Sequence, residues 1–146
     1  MHQYSLKYGC GTDKDHELKL IGYADSDYGS NLIDRKSTMG YVFFFNRGPI
    51  SWSSRKQQMV AMSIMEAEYM ALSDSIHELL SRMYYITEMG ILTIQPTVMY
   101  SDNQVAIVLA DGQGDYRRAK HIDICYHFIR DHLQRGNLEI IYIPSE

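Results

Sequence analysis

The sequence predicts an α/β domain built on a mixed sheet, in which three antiparallel strands come first, two further strands follow, and helices cover both faces. Three observations predict it: three strand patterns precede any helix, a long amphipathic helix comes next, and the remaining strand patterns alternate with helical ones. The chain has 146 residues, of which 45% are hydrophobic and 22% charged, enough for one domain with its own core. Because three strands precede any helix, the order differs from that of a βαβαβ domain.

The first half of the chain contains the three consecutive strand patterns. Residues 18–24 are apolar on both parities except at Lys19, which suits a central strand covered on both faces. Residues 41–45 are aromatic and β-branched, and residues 50–54 alternate apolar with polar side chains. Residues 46–49 form a tight connection between them, so these segments predict an antiparallel meander.

A long amphipathic helix follows the meander. From Met62 to Met89 the apolar residues recur at spacings of three and four, and Gly90 marks the end of the pattern. Glu66 and Glu68 lie about 200° apart on this helix, at opposite edges of the apolar stripe. They cannot both face one site, and helical geometry alone does not decide which of them points inward.

The second half alternates strands with helices. A short apolar strand starting at Val98 delivers Asp102 to its carboxyl end, and Asn103 can cap a short helix there. A second amphipathic helix is predicted over residues 122–133 and a last strand over residues 138–143.

Acidic residues stand at the ends of two predicted strands. Asp25 and Asp27 follow the first strand, and Asp102 follows the strand at Val98. Open α/β sheets bind their ligands at the carboxyl ends of strands. A plain turn or a helix cap is the alternative role for such residues. Asp25 and Asp27 are only two residues apart, so their carboxylates repel each other unless a cation or a hydrogen-bond donor separates them. This repulsion favours a metal site over a plain turn.

The charge distribution excludes binding to a nucleic acid duplex by charge alone, since the net charge is −4 and the pI about 5.8. The densest basic cluster is Arg117, Arg118 and Lys120. A solvated loop is the default interpretation of such a run, and phosphate contact is the sharper alternative. Three histidines lie on the second predicted helix or directly before it, namely His121, His127 and His132. Their spacings of six and five residues do not bring two imidazoles onto one face, so they indicate no zinc site.

The cysteine content and the distribution of apolar residues indicate where in the cell the protein is located. The two cysteines, Cys10 and Cys125, form no CxxC pair and are too few for a disulfide framework, which fits a reducing compartment. No run approaches the roughly 18 apolar residues of a membrane span, and the N-terminus lacks the apolar core of a signal peptide. We therefore expect an intracellular protein with no membrane partner.

Six stretches of the chain together form a specific pattern. They are Leu20-Ile-Gly-Tyr-Ala-Asp-Ser-Asp27, Asp34-Arg-Lys-Ser-Thr38 followed by Gly40-Tyr-Val-Phe-Phe44, Ile50-Ser-Trp-Ser-Ser54, Glu66-Ala-Glu-Tyr69, Tyr100-Ser-Asp-Asn-Gln104, and Lys120-His-Ile-Asp-Ile124 followed by Tyr126-His-Phe-Ile-Arg130. With these stretches, in this order, the chain resembles the ribonuclease H domain of copia-type long-terminal-repeat retrotransposon Pol polyproteins.

The resemblance implies a ribonuclease H-like sheet and a nuclease that hydrolyses the RNA strand of RNA/DNA hybrids during reverse transcription. It implies two Mg²⁺ ions, with Mn²⁺ as a possible substitute, held by Asp25, Glu68 and Asp102. The resemblance therefore selects Glu68 where helical geometry left Glu66 open. The residues expected to contact the hybrid are Asn103, Gln104, Lys120, Arg117 and Arg118. The implied partners are the hybrid and the reverse transcriptase region of the same polyprotein.

One departure from the family pattern concerns the C-terminus. The family carries a fourth acid on a helix beyond the last strand, and this sequence stops at Glu146 before such a helix. We therefore expect residues 1–17 to be a linker from a reverse transcriptase region and residues 18–146 to be a domain whose final helix is missing. The alternative to an active nuclease is a catalytically dead retroelement remnant that folds, or binds hybrid, without cleaving it.

Overall fold

The computed structural model describes residues 18–29, 33, 35–91, 93, 95–102 and 120–144. Its elements, in chain order, are β1 (Leu20–Asp27), β2 (Thr38–Phe45), β3 (Gly48–Lys56), α1 (Ile64–Glu88), β4 (Thr97–Ser101), α2 (Lys120–Gln134) and β5 (Leu138–Tyr142). The linker expected over residues 1–17 and the short helix expected after Asn103 lie outside the described residues.

One five-stranded mixed sheet has the order β3-β2-β1-β4-β5. The first three strands pair antiparallel, whereas β4 pairs parallel with both β1 and β5. This arrangement confirms the predicted fold class. Because Ala24 of β1 pairs with Ser101 of β4, Asp25 and Asp102 come next to each other at the same edge of the sheet.

The three antiparallel strands are longer than the sequence pattern predicts. Asp25 lies within β1 and not beyond it, because Asp25, Ser26 and Asp27 pair with residues 38–40 of β2. Acidic residues have low strand propensity, so the pattern ends the first strand at Ala24. The backbone pairing with β2 extends the strand through the acids and fixes the direction in which Asp25 leaves the backbone.

The core lies on one face of the sheet, against both described helices. Its buried strand residues include Leu20, Phe43 and Met99, which alternate with residues of the opposite face. The helical residues packed on them are Tyr69, Leu72, Ile76, Leu79, Ile86, Ile122, Tyr126 and Ile129.

The opposite face of the sheet carries neither α1 nor α2. Both described helices pack on the Leu20 side of the sheet. The predicted cover on both faces of β1 is not seen among the described residues, because Tyr23 is 37% exposed. Tyr23 instead stacks on Tyr100 of β4 with ring centroids 5.0 Å apart.

None of the helices described is long and apolar enough to cross a membrane.

Candidate active site

Asp25 and Asp102 line one open cavity at the carboxyl ends of β1 and β4, with a volume of about 440 Å³. Tyr23 and Tyr100 also line it, each two residues before one of the acids. The parallel pairing of the two strands brings the acids together, since neighbouring strands lie less than 5 Å apart. One Asp25 carboxylate oxygen accepts a hydrogen bond from the Ser26 backbone N–H at 2.7 Å.

Glu68 reaches the same region from α1. Partial burial raises the pKa of Glu68 above its ordinary value, and the negative charges of Asp102 and then of Asp25 raise it further. Carboxylates influence one another in this way only at short range, because solvent screens more distant charges. Three acids that are far apart in the sequence therefore share one electrostatic environment.

Glu66 has a different role at the start of α1. One of its carboxylate oxygens accepts a hydrogen bond from the Met62 backbone N–H at 2.8 Å, while the Glu66 N–H donates to the Ser63 hydroxyl at 3.1 Å. This reciprocal pair resembles a capping box, which satisfies N–H groups that a helix start leaves free. The structure thus uses the carboxylate of Glu66 in the helix cap, and it is Glu68 whose pKa responds to the two aspartates.

The donor atoms of Asp25, Glu68 and Asp102 suit a hard divalent ion, because Mg²⁺ prefers oxygen ligands and carboxylates above all. In this structure the three carboxyl groups lie farther apart than the ligands of one metal ion do. Within the part of the chain that the structure describes, no three acidic, histidine or cysteine side chains are gathered closely enough to hold a metal ion. Mutual repulsion opposes such gathering, and a divalent cation would offset it.

Of the residues expected to contact a hybrid, Lys120 is described, and it lies exposed at the first position of α2. Asn103, Gln104, Arg117 and Arg118 lie outside the described residues.

Tyr23 and Tyr100 were not among the site residues predicted from the sequence. A signal was present, since the pattern Tyr-x-Asp occurs at Tyr23 to Asp25 and again at Tyr100 to Asp102. In a strand, residues two positions apart lie on the same face, so the pattern in β1 puts the ring of Tyr23 beside Asp25. The register of β1 and β4 then stacks the two rings.

Other titratable groups of α2 have structural partners. Asp123, in the first turn, lies 3.4 Å from His127 one turn later, and both side chains are exposed. An acid at this position interacts favourably with the helix dipole. Cys125 is a free thiol, and burial raises its pKa.

The strand order β3-β2-β1-β4-β5, with α1 and α2 packed on the sheet, defines a ribonuclease H-like fold. The chain superposes on LC11-RNase H1, solved in complex with an RNA/DNA hybrid, with a TM-score of 0.62 and 17% identity over 87% of this chain and 86% of that one. It also superposes on the foamy viral protease-reverse transcriptase in complex with an RNA/DNA hybrid, with a TM-score of 0.58 and 16% identity over 89% of this chain and 18% of that one. At these identities the likeness shows the fold.

Sequence relatives identify the family. The chain is 38% identical over 147 residues to the retrovirus-related Pol polyprotein from transposon RE1 of Arabidopsis thaliana, with 96% of this chain covered. It is 39% identical over 149 residues to that from transposon TNT 1-94 of Nicotiana tabacum, with 98% covered. The chain spans 10% and 11% of the length of these two relatives. It belongs to the family of retrovirus-related Pol polyproteins of transposons. No family profile matches it.

Proposed function

We propose that this chain is the ribonuclease H region of a copia-type transposon Pol polyprotein, which hydrolyses the RNA strand of an RNA/DNA hybrid during reverse transcription. The observation that carries the proposal is the parallel pairing of β1 and β4, which brings Asp25 and Asp102 to one cavity. The raised pKa of Glu68, caused first by burial and then by the charges of Asp102 and Asp25, supports grouping this residue with them. An acid whose pKa is perturbed by specific charged neighbours is a frequent property of catalytic sites.

In this proposal Asp25, Glu68 and Asp102 hold Mg²⁺, with Mn²⁺ as a substitute. Bound Mg²⁺ supplies an activated water and stabilises the leaving oxygen of a phosphodiester. The sheet fixes two of the ligands, because Asp25 belongs to the β1 ladder and Asp102 follows the paired Ser101. Glu68 projects from a long helix whose buried side packs on the sheet, so its position depends on how α1 docks.

The proposed substrate is recognised by its shape more than by its sequence. Selection of RNA follows from contacts to 2′-hydroxyl groups across the wide minor groove of the hybrid. Lys120 supplies a phosphate contact, and the further contacts proposed are Asn103, Gln104, Arg117 and Arg118. Since the chain has a net charge of −4, local basic groups and bound cations must offset repulsion from the phosphates.

The proposal includes the setting of the domain. In this proposal residues 18–146 belong to the nuclease region, and residues 1–17 link it to the reverse transcriptase region. The relatives support a longer polyprotein, because this chain matches only 10% of the transposon RE1 protein. The small number of cysteines fits an intracellular location.

A cleavage assay tests the proposal directly. An RNA/DNA hybrid labelled on the RNA strand is incubated with the wild-type chain in Mg²⁺ or in EDTA, alongside the Glu68→Gln and Asp102→Asn variants. We expect Mg²⁺-dependent cutting by the wild type and a loss of at least ~100-fold in each variant, since even the groups that orient metal ligands are worth 10- to 100-fold. The matched control is Glu66→Gln, which keeps a polar side chain in the helix cap and should retain cutting.

The alternative function is a non-catalytic remnant that folds or binds hybrid without cleaving it. It is favoured by the absence of a close three-ligand cluster among the residues described. Equal background cutting by the wild type and Asp102→Asn, together with a gel shift of the uncut hybrid, would establish it in place of the nuclease.

A further inference from the structure

We propose that Gln57 is a positioning residue for Glu68. Its buried side chain holds the peptide group from which Glu68 projects and ties that group to the turn that follows β1. The inference rests on the proposed function, in which Glu68 is a metal ligand.

Gln57 is the first residue after β3 and is only 4% exposed. Its side-chain amide donates a hydrogen bond of 2.8 Å to the backbone carbonyl of Ala67 in α1. That carbonyl belongs to the planar peptide unit that joins Ala67 to Glu68. A contact that fixes this plane therefore fixes the backbone from which the Glu68 carboxylate extends.

The same residue connects to the other side of the site. The Gln57 backbone N–H donates to the Ser37 carbonyl at 2.8 Å, which adds one pairing beyond the last β2–β3 pair. Ser37 is fully buried, and its hydroxyl accepts a hydrogen bond of 3.1 Å from the backbone N–H of Gly29. Gly29 has a φ of +60° in the turn just after β1, the strand that carries Asp25. Three hydrogen bonds thus run from the turn after β1 to the peptide group of Glu68.

The hydrogen bond from Gln57 is not needed for α1 to form. A carbonyl has two lone pairs, and an α-helix uses one of them for the residue four positions later, so the bond to Gln57 is additional. The start of the helix is already capped by Ser63 and Glu66. What the Gln57 bond adds is the position of this part of α1 relative to the sheet.

A purely packing role for Gln57 fits the structure poorly. Its side-chain oxygen is buried and has no hydrogen-bond partner among the described residues. An unsatisfied buried acceptor destabilises the folded state, and a methionine of similar length would fill the space without that penalty. The presence of a side-chain amide at this position is therefore better explained by the hydrogen bond that its N–H group donates to the Ala67 carbonyl.

The test compares Gln57→Met with the matched control Ser75→Ala. Ser75 is also fully buried, and its hydroxyl donates to the Ala71 carbonyl of the same helix at 2.7 Å, two turns from Glu68. Both variants lose one side-chain hydrogen bond to α1, but only Gln57→Met loses it beside Glu68. The readouts are the Mg²⁺ dissociation constant from titration calorimetry, the amide hydrogen exchange rate of Glu68 measured without metal, and kcat and KM for the hybrid.

For Gln57→Met we expect the Mg²⁺ dissociation constant to rise about 10-fold and kcat to fall by a similar factor, with KM unchanged, as for residues that orient metal ligands. Amide exchange at Glu68 should be several-fold faster. Ser75→Ala should leave Mg²⁺ affinity and exchange at Glu68 within about twofold of the wild type. A Gln57→Met variant that matches Ser75→Ala in both readouts would overturn the inference.

Two further variants, Ser37→Ala and Glu68→Gln, cover the cases in which Gln57→Met does not fold or the proposed function is wrong. If Gln57→Met does not fold, Ser37→Ala is judged by the same two criteria, because it breaks the connection at the Gly29 end. If Glu68→Gln binds Mg²⁺ as tightly as the wild type, the proposed function fails. The exchange rate of Glu68 in the metal-free variants then decides separately whether Gln57 positions this residue.

Discussion

The Ser63 hydroxyl accepts a hydrogen bond from the backbone N–H of Glu66 at 3.1 Å, and this contact caps α1, which begins at Ile64, four residues before Glu68. Glu66, which takes part in the cap, and the candidate ligand Glu68 therefore lie within one helical turn and have separable roles. Helix geometry alone could not assign them, because both glutamates flank the apolar stripe. The hydrogen bonds of the cap make the two roles testable by mutation.

The first prediction is that removal of the helix cap lowers the stability of the fold but leaves hybrid cleavage intact. Ser63→Ala removes the acceptor for the Glu66 N–H, so we expect the free energy of unfolding to fall by about 1 kcal/mol. Urea denaturation followed by circular dichroism measures the change. Cleavage of the hybrid at a temperature well below the transition should stay within about twofold of the wild type. A loss of cutting as large as that of Glu68→Gln would contradict the separation of the two roles.

The second prediction concerns the pH dependence of stability in EDTA. Because the folded state raises the pKa of Glu68, folding is disfavoured once this group ionises. Its unfavourable contribution is absent at pH values below the unfolded pKa of about 4.3 and grows as pH rises through the folded pKa. Glu68→Gln cannot ionise at this position, so the variant should be more stable than the wild type at pH 7, and the difference should shrink toward pH 4.

Thermal melts across this pH range measure the effect, with Glu78→Gln as the control on the same helix. Glu78 pairs with Arg82 one turn later at 3.3 Å, so its neutralisation should not stabilise the protein. Addition of Mg²⁺ should raise the melting temperature of the wild type more than that of Glu68→Gln, since the cation offsets the repulsion among the acids. Equal pH profiles for the wild type and Glu68→Gln would be inconsistent with the coupling.

Most of the fold could be predicted from the sequence because its elements have strong local signals. The three-and-four spacing of apolar residues predicts α1 to within two residues at its start, and Gly90, at a φ of +77°, ends it as expected. The extension of β1 through Asp25 could not be predicted in this way. It depends on pairing with residues 38–40, a contact distant in sequence that overrides the low strand propensity of acidic residues.

The candidate site was predictable in part. Strand ends and the family resemblance indicated Asp25 and Asp102, but a single helix pattern cannot assign Glu68, since the choice depends on how α1 docks on the sheet. The role of Gln57 could not be predicted from the sequence, because a glutamine that follows a polar strand is expected to be exposed to solvent. Its burial becomes evident only when β3 and the start of α1 are placed side by side.

The third prediction tests the proposed phosphate contact of Lys120. In an inactive Asp102→Asn background, Lys120→Ala should weaken hybrid binding and reduce the slope of log K against log salt by about 1, as loss of one phosphate contact does. Fluorescence anisotropy with a labelled hybrid measures both. Arg135→Ala is the control, because Arg135 lies past the other end of α2 and pairs with Asp131 at 2.9 Å. An unchanged slope in Lys120→Ala would remove this residue from the proposed interface.

The fourth prediction concerns the close packing of β1 on β4 beneath the site. A Cβ added at Gly22 would lie 2.8 Å from the sulfur of Met99 and 3.0 Å from a ring carbon of Phe43. Gly22→Ala should therefore lower the free energy of unfolding by about 1–3 kcal/mol, the usual cost of overpacking. Gly40→Ala is the control on β2, where the nearest atom, the Ser53 carbonyl oxygen, is 3.6 Å away. Combining Gly22→Ala with Met99→Val should recover part of the loss in urea denaturation, because the shorter side chain removes the sulfur contact. If Gly22→Ala and Gly40→Ala were equally stable, the close approach of Met99 to the β1 backbone would be refuted.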